Sequence, residues 1–155
     1  MLSITELGKP QGVWCQHCHI GVGCKIYDHR PRQCSAFYCG FLTQTNLSED
    51  WRPSKCKIVL VAELEGARVA AYVDPGRPDA WKEKPYYSQL REWARNADPT
   101  RHQVVVCVGP KTIVILPDED VDLGIVREDE LIVTGERHTP AGIRQTALKM
   151  KRPAH

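Results

Sequence analysis

Five of the seven cysteines lie between Cys15 and Cys39, in the stretch CQHCHIGVGCKIYDHRPRQCSAFYC, at spacings C-x2-C-x5-C-x9-C-x4-C. Three of the six histidines, His17, His19 and His29, share that stretch. Thiolates are soft donors that suit zinc or iron–sulfur centres. Cys15 and Cys18, two residues apart, can face one ion from a tight turn, a common half of a zinc site. Cys34 and Cys39 can supply the other half, with Cys24 between them. A tetrahedral zinc takes four ligands. Five thiols therefore leave one spare, or serve a cluster or a second ion, or provide a ligand position with a further role. The spacing does not choose among these.

The compartment bears on the same thiols. The first twelve residues, MLSITELGKPQG, carry no basic start and no apolar run of a secretory signal. No apolar stretch approaches the ~18 residues of a membrane span. The expectation is a cytoplasmic chain with no membrane partner. Reducing conditions there disfavour structural disulfides, and an odd number of cysteines fits a disulfide framework poorly. Clustered thiols then read as metal ligands or redox thiols. Cys56 and Cys107 stand apart from the cluster, at or inside apolar runs, and are expected in the core.

Around this stretch the chain must supply a body. At 155 residues, with 42% hydrophobic and 26% charged residues, it has the size and composition of one soluble domain. Residues 1–55 read as a lead-in, the cysteine segment and a connector; residues 56–155 read as the body. Gly21, Gly23 and Pro31 interrupt any regular period in the cysteine segment, and such loop-rich knuckles gain from a metal the stability they cannot bury. Tyr27 and Ile26 are expected to form its small core.

In the body, Ile58–Glu63 and Ala67–Val73 are β-branched runs around Glu65-Gly66, a hairpin signal. In the second run Val69, Ala71 and Val73 share one face, and Arg68 and Tyr72 the other. Tyr86 to Ala97 is the clearest helix, with Tyr86, Leu90, Trp93, Ala94 and Ala97 on one stripe, Pro85 at its start and Asp98-Pro99 at its end. Gln103–Val108 and Thr112–Leu116 form a second hairpin around Gly109-Pro110-Lys111, and Leu131–Thr134 is a fifth strand. Thr139 and Pro140 look like the cap and first position of a basic C-terminal helix. Asp118, Asp120 and Asp122 imitate a calcium loop, but Leu123 and Asp129 stand where that loop needs Gly and Glu, so a solvated acidic turn is expected. The predicted class is α+β: a loop-rich N-terminal metal knuckle packed on a mostly antiparallel sheet with one clear helix.

The segment from Gly23 to Cys34, GCKIYDHRPRQC, resembles the C-x-IY-x-x-RP-x-x-C signature of the YkgJ-type zinc- or iron-chelating cysteine-cluster proteins. Phe37, Cys39 and Trp51-Arg52-Pro53 fit the shorter bacterial members. The likeness covers residues 14–55, a third of the chain. Two features depart from the family: Ser35 stands where an arginine is frequent, and there is no upstream cluster with a vicinal cysteine pair. The resemblance implies metal binding and little beyond it.

Net charge is only +2, which gives no general argument for nucleic acid or membrane. The charge is uneven: residues 1–60 hold seven basic against four acidic side chains, 61–135 nine against fourteen, and 136–155 five against one. The first function class is a protein holding zinc or iron through Cys15, Cys18, Cys24, Cys34 and Cys39, with a structural or regulatory role. The second is an enzyme or electron carrier with an iron–sulfur cluster on the same thiols. The third is a nucleic-acid adaptor using the knuckle and the basic tail, which the 7% aromatic content does not favour. The sequence has no P-loop, dinucleotide fingerprint, nucleophile elbow or H-E-x-x-H motif.

Overall fold

The apolar runs after residue 56 form the core, and they do so on both faces of one sheet. The computed structural model describes residues 2–98 and 101–153. Five strands, β3 (Ile58–Glu63), β4 (Arg68–Val73), β5 (Gln103–Val108), β6 (Lys111–Ile115) and β7 (Asp120–Ile125), lie in that spatial order. They follow two short strands of the cysteine segment, β1 (Cys18–His19) and β2 (Gly23–Cys24). All neighbours in the large sheet are antiparallel except β4 and β5, which run parallel. A parallel pair needs a crossover. The crossover here carries the one long helix, Tyr86–Asn96. Pro99, expected to end it, lies outside the described residues.

The helix packs Tyr86, Leu90 and Ala94 onto one face of the sheet, against Ile58, Leu60, Ala71, Val73, Val104, Val106 and Ile115. Trp51 and Trp81 close that layer. The opposite face carries Ala70, Val105, Cys107 and Val114. It is covered by a second sheet, an antiparallel ribbon of β8 (Glu130–Thr139) and β9 (Gly142–Lys151), through Ile132 and Ala147. Burial on both faces explains why Gln103–Val108 is a nearly continuous apolar run and not an alternating one. The chain is thus α+β, a mostly antiparallel sheet between one helix and a ribbon. None of the helices among the described residues is long and apolar enough to cross a membrane.

Two expectations are corrected here. The basic C-terminal helix is instead strand β9: Pro140-Ala141 is a two-residue connection, Gly142 takes φ +117°, and ten residue pairs join β8 to β9. Pairing with a ready-made neighbour overrides a helix cap signal that is only local. The acidic run from Asp118 is not a solvated turn throughout, because Asp120–Ile125 is the edge strand β7. There Asp120 meets Arg91 of the long helix at 3.0 Å and accepts the Tyr87 hydroxyl at 2.9 Å.

The cysteine segment is built from short pieces. They are β1, β2, a 3-10 turn at Tyr27–His29, and two single-turn helices, α1 (Arg32–Ser35) and α2 (Gly40–Thr43). A third short helix, α3 (Pro53–Cys56), leads into β3, which makes the long helix α4. The lead-in meets the body near the β5–β6 turn. A Cβ placed on Gly12 would lie 2.6 Å from the backbone of Gly109 in the β5–β6 turn, so only glycine permits that approach.

Candidate metal centre

The Cys15–Cys18 pair forms the turn that its spacing predicts: the Cys18 amide donates to the Cys15 carbonyl at 2.9 Å. The chain then runs through β1, turns at His19–Gly23 and returns along β2. The Val22 amide donates to the His19 carbonyl at 2.9 Å, and Gly21 and Gly23 take φ +82° and +135°, which ordinary side chains resist. In this small hairpin Cys18 lies directly opposite Cys24. Residues directly opposite in an antiparallel pair project to the same face, so the first three cysteines are gathered by one turn and one hairpin. Alternation sends His19 to the other face.

Cys34 comes from α1. Pro31, at ψ 152°, holds the chain extended just before the helix, and the Cys34 amide donates to the Pro31 carbonyl at 3.0 Å. Arg30 stacks over the Tyr27 ring at 3.9 Å and donates to the Tyr27 carbonyl at 2.7 Å. The bend between Cys24 and Cys34 is therefore fixed by the IY-x-x-RP residues themselves. Tyr27 is not a core residue, however: it is 60% exposed, and it serves as a platform for Arg30.

These thiols share an electrostatic field. Partial burial pushes the Cys34 thiol above its ordinary value; Cys15 and Cys24 push it further, Glu6 adds a smaller push, and Arg30 pulls it down. The arginine that partly offsets the charge of these thiolates is Arg30. A thiol whose neighbours are other thiols is easier to ionise when a cation compensates the charge.

Glu6 was not legible as part of this site. Its carboxylate accepts the backbone amides of Arg32 at 3.3 Å and Gln33 at 3.0 Å, so the lead-in clasps the first turn of the Cys34 helix. Gln33 reaches back to accept the Glu6 amide at 3.4 Å. The partners lie more than 25 residues apart, and no local spacing rule announces such a contact.

Cys39 is placed differently from the other four. It is buried, and it precedes α2, whose Gly40 lies close against Leu60 of β3. The thiol beside it is Cys56. Burial raises the Cys56 pKa, backbone hydrogen bonding at Ile58 lowers it, and Cys39 adds a small upward push. Cys56 and Cys107 are both buried, as their apolar settings predict. Cys107 is pushed up to about 11 by burial, so it remains a neutral thiol at physiological pH.

Among the described residues no three His, Cys, Asp or Glu side chains are gathered closely enough to hold one ion. The Cys15–Cys18 turn, the Cys18–Cys24 register and the Cys34 helix instead bring four thiols onto one small, exposed module. No protein-family model, curated protein or solved structure matches the chain.

Proposed function

We propose that this protein binds a zinc or iron ion through Cys15, Cys18, Cys24 and Cys34, in a structural or regulatory role. The observation that carries this reading is the placement of four thiols on one module: Cys15 and Cys18 share a turn, Cys18 lies in register opposite Cys24, and Cys15 and Cys24 lie near enough to Cys34 to raise its pKa. Two further points support it. The module buries none of its described side chains before Cys39, so it gains little from the hydrophobic effect and much from a crosslinking ion. The likeness of Gly23–Cys34 to the YkgJ-type signature points the same way. Cys39, buried toward Cys56, is the spare thiol in this reading. The donor chemistry fits zinc or iron. Convergence of the four thiols requires movement within the module, which short turns with glycine at Gly21 and Gly23 allow.

The test is elemental analysis of protein purified without air and without affinity metals. About one zinc or iron per chain is expected for a mononuclear site. Visible absorption with more than one iron and matching sulfide per chain would instead assign an iron–sulfur cluster to the same thiols. Cys24→Ala and Cys34→Ala should each reduce bound metal by more than about half, because a thiolate-poor site holds these ions weakly. Cys39→Ala, Cys56→Ala and Cys107→Ala should leave it unchanged. Protein without zinc or iron, or metal lost only with Cys56 or Cys107, overturns the proposal.

A further inference from the structure

A second concave site lies on the body, sharing none of the four thiols. It is a groove of about 410 Å³ between the connector after Cys39, strands β3 and β4, and helix α4. That volume is in the range of small-molecule sites. Its apolar floor includes Leu60, Val69 and Trp93. Trp93 is half-buried and stacks on the fully buried Trp51, with ring centroids 5.3 Å apart and planes at 26°. The indole is therefore held in place before any ligand arrives. Around this floor stand three side-chain amides, Gln44, Asn46 and Gln89.

The orientation of Gln89 is fixed by chemistry. The Trp51 indole N–H can only donate, and it donates to the Gln89 side-chain oxygen. The NH₂ end of that amide is then the free end, and Gln89 lines the groove. Gln44 and Asn46 are exposed on the connector and offer both donors and acceptors.

The charge of the groove narrows the ligand. About a quarter of the chain is Asp, Glu, Lys or Arg, yet none of the described residues lining the groove is charged. An anion would find no counter-charge there, and neither would a cation. A wholly apolar ligand would cover the free NH₂ of the half-buried Gln89 and leave it unpaired, at a cost of about 1–3 kcal/mol. A neutral, planar ring with an amide-like edge meets both demands: the flat face meets indole and aliphatic carbon, and the edge pairs with the amides. We propose that this groove binds an uncharged planar heterocycle of the nucleobase or lactam class.

The experiment uses the full chain, ¹⁵N-labelled, titrated with uracil and with adenine while the Trp93 indole and the side-chain amides of Gln44, Asn46 and Gln89 are followed by NMR. Orotate, which adds a carboxylate to the uracil ring, and toluene, which lacks the amide edge, are the comparison probes. Saturable shifts confined to these four side chains and their neighbours are expected for at least one base. Orotate and toluene should bind at least about tenfold more weakly than that base, the size of a lost hydrogen bond or an unpaired charge. The double variant Gln44→Ala, Asn46→Ala changes only exposed connector side chains and should weaken base binding by about tenfold. Failure of both bases to shift the Trp93 indole, or equal affinity for orotate or toluene, or full affinity in the double variant, each overturns the proposal.

Discussion

The cysteine module and the five-stranded body are held by different forces. In the body, residues such as Ile58, Leu90, Val106 and Val114 are fully buried, and two apolar layers cover both faces of the sheet. In the module, Ile20 and Val22 at the hairpin tip are 69% and 78% exposed, and Tyr27 is exposed too. Its shape rests on short-range backbone bonds, the Arg30–Tyr27 stack and the Glu6 clasp. One region is stabilised by burial, which is non-directional and large. The other is held by directional contacts that water competes for, each contributing little net. The difference means that the two regions should respond to different perturbations, with the module the more readily reshaped.

The largest expected effect is on the body. Leu90→Ala leaves a cavity between helix and sheet and should cost about 2–5 kcal/mol in chemical denaturation. A cost under about 1 kcal/mol would mean that the helix layer is not a packed core.

The next concerns the ribbon-side face of the sheet. The folded Cys107 thiol holds its proton up to about 11, against 9.0 for an ordinary thiol. Its folded pKa is raised, so its contribution is complete below pH 9.0 and is lost as pH rises through about 11. At about 1.4 kcal/mol per unit, native protein should lose about 3 kcal/mol more than a Cys107→Ala variant between neutral pH and pH above 11. Parallel stability curves for the two proteins would refute this burial argument.

The module should show a smaller, local effect. Glu6→Ala removes the acceptor for the Arg32 and Gln33 amides. Those amides should exchange with solvent several-fold faster, about 1 kcal/mol for exposed charge-assisted bonds, while amides of β3 to β6 stay unchanged. Faster exchange across the whole sheet, or no change at Gln33, would break the separation between the regions.

The smallest effect tests the same contrast from the other side. Val22→Ser exchanges a large apolar side chain that touches little, and it should cost less than about 0.5 kcal/mol. A cost comparable to that of Leu90→Ala would show that the hairpin tip is covered in solution.

Much of the body was legible because its signals are local and redundant. The β3–β4 hairpin, the stripe of Tyr86, Leu90 and Ala94, and the β5–β6 hairpin each follow from periodicity plus a turn, and each is found where that pattern puts it. The backbone that carries the proposed thiol site was legible too. The C-x2-C turn and the glycines that fold Cys24 back to Cys18 are written in consecutive residues.

What the sequence by itself determined is therefore what short stretches of chain decide: where the β3–β4 and β5–β6 hairpins and the long helix lie, and that Cys56 and Cys107 are core residues. The tertiary structure decided the rest. It made residues 142–151 a strand, since β8 offered a ladder of backbone partners that a Thr-Pro cap signal could not outweigh. It placed β4 beside β5 in parallel, a pairing between segments thirty residues apart. It drew Cys39 away from the other thiols toward Cys56, and it brought Glu6 to the helix that carries Cys34. Each of these depends on contacts between residues distant in the chain. Their energies come from what happens to be adjacent after folding, and no window of neighbouring residues contains that information.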